Sequence, residues 1–126
     1  LHIGNTYRMP NGAVGLHDWQ LCVKGYCLHD VTYIINTALS VSERRIHERE
    51  MLRHYRERLI EYGVTTPPDM EALWQEHRRA ALWTLYIGWL TCPPESYGWE
   101  TLSVALLRVS TAVEDHDTLS LVQADL

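Results

Sequence analysis

The chain is short of cysteine, of positive charge, of long hydrophobic runs and of glycine-rich loops, and each shortage removes a class of protein. Three cysteines among 126 residues, Cys22, Cys27 and Cys92, are too few and too odd in number for a disulfide framework, so a reducing, cytoplasmic setting is expected. The longest apolar stretch, residues 80–90, is broken by Thr84 and Gly88. It falls short of the roughly 20 residues a membrane-crossing helix needs, so no membrane partner is expected. The opening residues carry neither a basic start nor an apolar run, and no secretory leader is expected there. Net charge is −5, the wrong sign for a nucleic-acid binder, which presents a basic surface. There is no Ser-His-Asp or Cys-His constellation, no phosphate-cradling glycine loop, no internal repeat and no low-complexity segment.

What is present fits one domain with a hydrophobic core: 46% of the residues are apolar. Residues 5–19 have the pattern of a β-hairpin, with Asn11-Gly12 between two β-prone runs. From Asp30 onward the pattern is helical. Asp30 is a plausible N-cap for a helix over residues 31–39. Ser40 and Glu43 stand at capping-box spacing and open a second helix. Leu52, Tyr55, Leu59 and Tyr62 form its buried stripe, and Gly63 ends it. Thr66-Pro67-Pro68-Asp69 links to a helix over residues 70–90, Pro93-Pro94 stops that one, and a last long helix covers residues 99–114. Asp117 is placed to cap a short terminal turn. The expected fold is mainly α: a short β-hairpin followed by a four- to five-helix bundle. It forms a single domain over residues 1–126, with a loop and hairpin at 1–29 and a helical subdomain at 30–126.

Chemistry concentrates in the first thirty residues. Asn5 precedes the hairpin and Asp18 follows it, so the hairpin brings an amide and a carboxylate side by side. Such hard oxygen ligands suit Mg²⁺, which takes one or two protein groups and completes its shell with phosphate oxygens and water. The competing explanation is turn chemistry, since Asn and Asp both bond local backbone. Cys22, Cys27, His17 and His29 have loose spacing for zinc and read as ordinary side chains. The arginines of residues 44–58 alternate with Glu43, Glu48, Glu50 and Glu57, the pattern of a solvated, ion-paired helix face. Trp74, Trp83, Tyr86, Trp89 and Trp99 are expected mostly in the core, with Trp83, Tyr86 and Leu90 sharing a face; any left exposed would favour association.

The same loops carry a family resemblance. His2-Ile3-Gly4-Asn5 looks like the end of the kinase-like catalytic loop His-Gly-Asp-x-His-x-x-Asn of aminoglycoside phosphotransferases and choline-kinase-like enzymes. Gly15-Leu16-His17-Asp18-Trp19-Gln20 resembles their following Ile-Asp-Trp/Phe-Glu segment, with Gln20 where an acidic residue is common. Gly25-Tyr26-Cys27-Leu28-His29-Asp30-Val31-Thr32-Tyr33 is similar to Gly-x-x-x-x-Asp-Leu-Ala-Tyr. Glu43-Arg44-Arg45, the stretch to Val64 and the segment Ala112 to Leu119 resemble later parts of the bacterial members. The resemblance implies the C-terminal lobe of a protein-kinase-like fold. It makes Asn5 and Asp18 the metal ligands that hold Mg²⁺ and ATP, and gives Asp30 a structural role buttressing the loop.

The catalytic base of that pattern would stand immediately before Leu1, so no catalytic residue is assigned within the chain. The nucleotide-gripping N-terminal lobe would also lie upstream. The chain is therefore expected to be a piece of a longer ATP-dependent phosphotransferase of a small hydroxylated acceptor, inactive alone. Its partners would be that acceptor, the N-terminal lobe or a second copy of the chain. The alternative is a non-catalytic helical interaction or oligomerisation module derived from a kinase.

Overall fold

The computed structural model describes residues 2–20 and 22–124. It is mainly helical, with a two-stranded antiparallel hairpin ahead of five α-helices. A 3₁₀ turn, Ile3–Asn5, leads into β1 (Thr6–Arg8), which pairs with β2 (Val14–Leu16) in the register Thr6↔Leu16 and Arg8↔Val14. Met9 and Ala13 close the loop, with the Met9 N–H donating to the Ala13 carbonyl at 2.8 Å. Only Gly12 of the Asn-Gly pair takes a positive φ, 86°. The turn is thus a three-residue loop ending in a left-handed glycine, not the two-residue form in which both residues are left-handed.

The helices are α1 (Cys27–Ala38), α2 (Val41–Glu61), α3 (Met70–Trp83), α4 (Pro94–Asp115) and α5 (Thr118–Gln123). Ser40 and Glu43 form the expected reciprocal box at the start of α2: the Ser40 hydroxyl accepts from the Glu43 N–H and the Glu43 carboxylate accepts from the Ser40 N–H. Gly63, at φ 88°, follows the C-cap of α2. Asp69 caps α3 by accepting from the Ala72 N–H at 2.8 Å.

Several boundaries differ from expectation. α1 begins at Cys27 with Tyr26 as its N-cap, so Asp30 lies in the first turn instead of capping it. There its carboxylate still faces the positive end of the helix dipole. The helix expected over 70–90 changes character at Thr84, and Thr84–Leu90 winds as a π-helix. The helical run ends at Leu90, ahead of Pro93-Pro94 as expected, and Pro94 also occupies the first turn of α4, where its missing N–H is harmless. Gly98, at φ 80° and ψ 156°, breaks α4 one turn later, and its long straight part starts at Trp99 as expected. Asp117 precedes α5 in the left-handed region, φ 48°, but its side chain makes no capping bond.

α1 is the central element, with a core on either side. Leu28 and Ile35 pack with Leu52 of α2 and Leu73 of α3. Tyr33 packs with Trp89 of the π-helical segment and with Leu102, Ala105 and Val109 of α4. Helical spacing explains the split: positions 28 and 35 are two turns apart on one face, and 33 lies round the side. Tyr62, Tyr86, Leu90 and Trp99 are exposed, contrary to the stripe and core assignments, while Trp89 is buried and Trp74 and Trp83 are half-buried. Among the described residues, no helix is long and apolar enough to cross a membrane.

Candidate functional site

The hairpin brings Asn5 and Asp18 together across its open end. The Thr6↔Leu16 pairing sets the register, and the His17 N–H extends it by donating to the Asn5 carbonyl at 2.9 Å. One residue further, the Asn5 side-chain amide donates from Nδ2 to Asp18 Oδ2 at 2.8 Å. Asn5 is buried and held from behind, its Oδ1 accepting from the His2 N–H at 3.1 Å. The His2 ring folds back to accept from the Gly4 N–H through Nδ1. Burial lowers the His2 pKa, against the pull of the Asp18 carboxylate. Asp18 is exposed and sits at φ 70°, a left-handed conformation uncommon for a residue with a Cβ. Trp19 follows and donates from its indole to the Leu16 carbonyl at 3.2 Å.

The two residues that the spacing marked are thus in contact, one buried and rigid, the other exposed and strained. Asp18 offers carboxylate oxygens, while Asn5 turns its Nδ2 toward Asp18 and its Oδ1 toward the His2 N–H, so the two are joined as a hydrogen-bonded pair. Asp30, the third residue singled out, lies on α1 and lines a groove of about 540 Å³ between α1 and α2, with Val31, Ile34, Met51, His54 and Tyr55 among its other walls. That volume is in the range of small-molecule sites.

A second polar cluster lies inside the molecule, and the sequence reading missed it. Arg44 and Glu48 were assigned to a solvated face, yet both are buried, Arg44 to 1% exposure. Arg44 stands two turns and Glu48 one turn before Leu52 on its side of α2, so they continue the stripe of Leu52, Tyr55 and Leu59 toward the helix N-terminus. His77 comes from α3, and His116 from the corner after α4. Glu48 Oε2 receives the Arg44 guanidinium at 2.7 Å and His116 Nε2 at 2.9 Å, with His77 Nε2 at 3.6 Å. The other face of the guanidinium binds Asp115, which also takes both nitrogens of a bidentate Arg45, at 2.8 and 2.9 Å.

Burial pushes the Glu48 carboxyl up, but the nearby His116, His77 and Arg44 outweigh it and hold the group well below the usual carboxylate range. Burial lowers the His77 pKa, and the Glu48 contact opposes this only in part. Glu48, His77 and His116 offer ligand atoms within 4.8 Å of one another, a spacing that invites comparison with a metal site. A cation already partners the carboxylate: Arg44 lies 2.7 Å from Glu48 Oε2 and 3.2 Å from His116 Nε2, so an ion at this cluster would face a fixed positive charge.

Comparison of the chain with protein-family models, characterised proteins and solved structures found no match.

Proposed function

We propose that the chain is the C-terminal part of an ATP- and Mg²⁺-dependent phosphotransferase acting on a small hydroxylated molecule, and that it does not transfer phosphate alone. The observation that carries this reading is the Asn5–Asp18 contact at 2.8 Å, with Asp18 held at φ 70°. Non-glycine residues in that region store about 1–3 kcal/mol of strain and persist where the surroundings enforce them, typically at functional sites.

When bound, Mg²⁺ would neutralise charge on the nucleotide phosphates; Asp18 would offer it a carboxylate oxygen and Asn5 the second lone pair of the amide oxygen that accepts from His2. The chain's own contribution is positioning. The His2 and His17 backbone bonds fix Asn5, and the Asn5 amide fixes the Asp18 carboxylate. Phosphoryl transfer relies mainly on such placement and on charge stabilisation. The base and the nucleotide-gripping lobe that the resemblance calls for are not among these residues, which is why activity is assigned to a longer protein. The test is made in the protein encoded together with the sequence upstream of Leu1. There Asp18→Ala is expected to abolish ATP-dependent turnover of a hydroxylated acceptor, and retained activity would end this assignment.

A further inference from the structure

We propose that Glu48, His77 and His116 form an acid-sensitive latch that holds the corner between α4 and α5 against α2 and α3 and releases it when the two imidazoles take up protons. This stands apart from the hairpin site and does not depend on the phosphotransferase reading.

Several polar contacts attach the corner. The His116 carbonyl accepts from Arg78 Nε at 2.6 Å, and Thr118 Oγ1 donates to the Arg78 carbonyl at 2.9 Å. Asp115 binds Arg44 and Arg45 of α2. His116 itself reaches Glu48 at 2.9 Å. Asp117, in the left-handed region, turns the chain there into α5.

The Arg44 guanidinium, His116 Nε2 and His77 Nε2 lie 2.7, 2.9 and 3.6 Å from one atom, Glu48 Oε2, the last beyond hydrogen-bond range. The assignment of ring protons follows. His116 Nε2 lies 2.9 Å from the Glu48 carboxylate, which can only accept, so Nε2 carries the hydrogen and gives it to Glu48; the Arg44 guanidinium 3.2 Å away can only donate and makes no hydrogen bond to that nitrogen. His77 Nε2 is buried without a hydrogen-bond partner, 3.6 Å from the carboxylate, so its hydrogen is best placed there by charge alone, with Nδ1 accepting from the Thr32 hydroxyl at 2.9 Å.

A further proton can then arrive only at the two Nδ1 atoms. On His116, Nδ1 is buried with no partner, and a new N–H there would be a buried donor with nothing to bind. On His77, the new N–H would meet the Thr32 hydroxyl hydrogen and force it to turn. With both rings charged, two imidazolium ions and Arg44 would surround a single carboxylate.

The remaining charges near the cluster do not relieve this. Arg45 and Asp115 neutralise each other at its edge, Arg78 is cationic, and Arg49 lies 3.7 Å over the ring of Trp74, which itself packs against both histidines. From α1 the uncharged Thr32 meets His77. Opening the corner lets both rings bind protons in water, so proton uptake and release are linked. The lowered His77 pKa agrees in direction.

The experiment is amide hydrogen exchange of the whole chain from about pH 7.5 to about pH 5.5, corrected for intrinsic rates, comparing residues 112–122 with α1. The corner's opening constant is expected to rise by up to about tenfold per pH unit for each proton taken up, ahead of any change in α1. The double variant His77→Gln/His116→Gln should lose that slope. A corner whose protection is independent of pH, or a slope that survives in the double variant, overturns the proposal. Should the variant not fold, the imidazole carbon signals of the wild-type protein decide. They are expected to titrate with the exchange midpoint, and titration without any change in corner exchange would refute the latch.

Discussion

At the scale of single residues, Arg44 has the largest consequence. Its guanidinium is almost wholly buried and shared between Glu48 and Asp115. A buried pair contributes little against well-packed apolar side chains, but breaking it leaves a charge without compensation. Arg44→Met is therefore expected to destabilise the protein by roughly 3–5 kcal/mol in urea unfolding. Adding Glu48→Met should recover a large part of that loss. A single variant as stable as the wild type would show that Glu48 is not held as a buried anion.

This is also where the sequence was hardest to read. Arg44 and Glu48 are four apart and sit among other arginines and glutamates, which is equally the pattern of an exposed ion-paired face. Extending the Leu52 stripe backward by turns of four was the available signal. His77, between Leu73 and Ala80 on the buried side of α3, was the other. Neither showed that a histidine 68 residues beyond Glu48 would meet them. Asn5 and Asp18 were legible because a hairpin is local: its turn residues determine which ends meet.

Among the elements, the hairpin, the caps of α2 and α3 and the glycine stop of α2 follow from short-range chemistry, and the sequence showed them. The π-helical segment did not show, because its cause is tertiary. Gly88 faces the Tyr33 ring so closely that a Cβ there would lie 2.5 Å from the ring's Cε2. Tyr33 has little freedom to yield, being buried and held between Trp83 and Trp89, with ring centroids 6.2 and 6.4 Å away. The wider π turn accompanies this approach of backbone to ring, as such bulges often do where a helix meets a special contact.

Gly88→Ala would gain about 1 kcal/mol from helix propensity. Overpacking against an immobile ring costs about 1–3 kcal/mol, and a clash this short belongs at the upper end. The expected result is a net loss of about 1–2 kcal/mol in denaturant unfolding. In a Tyr33→Ala background the same substitution should be neutral or stabilising. Additive effects of the two changes would rule out the ring contact as the reason for glycine.

For the whole molecule, the cluster joins α2, α3 and the end of α4, so its titration should register in global stability. Two groups set the sign. His77 has a folded pKa below its ordinary value near 6.5 because burial disfavours the cation. Between that folded value and 6.5 the unfolded chain binds more protons, so stability falls as pH drops through this window. Glu48 is also lowered, in its case because the nearby His116, His77 and Arg44 overcome the effect of burial. Its contribution is complete above the ordinary value of 4.5 and is lost as pH falls toward the folded one. Asp115 is lowered as well, chiefly by its bond to Arg45, and adds to the loss below 3.8. The thermal midpoint should therefore decline in two stages on acidification, one beginning near pH 6.5 and one near pH 4.5. Glu48→Gln should erase much of the lower stage, and His77→Gln should shrink the upper one. A midpoint that stays level from neutral pH down to the ordinary carboxylate range would mean that His77 binds its proton as readily folded as unfolded, and the buried network would then not be what ties acid to unfolding in this fold.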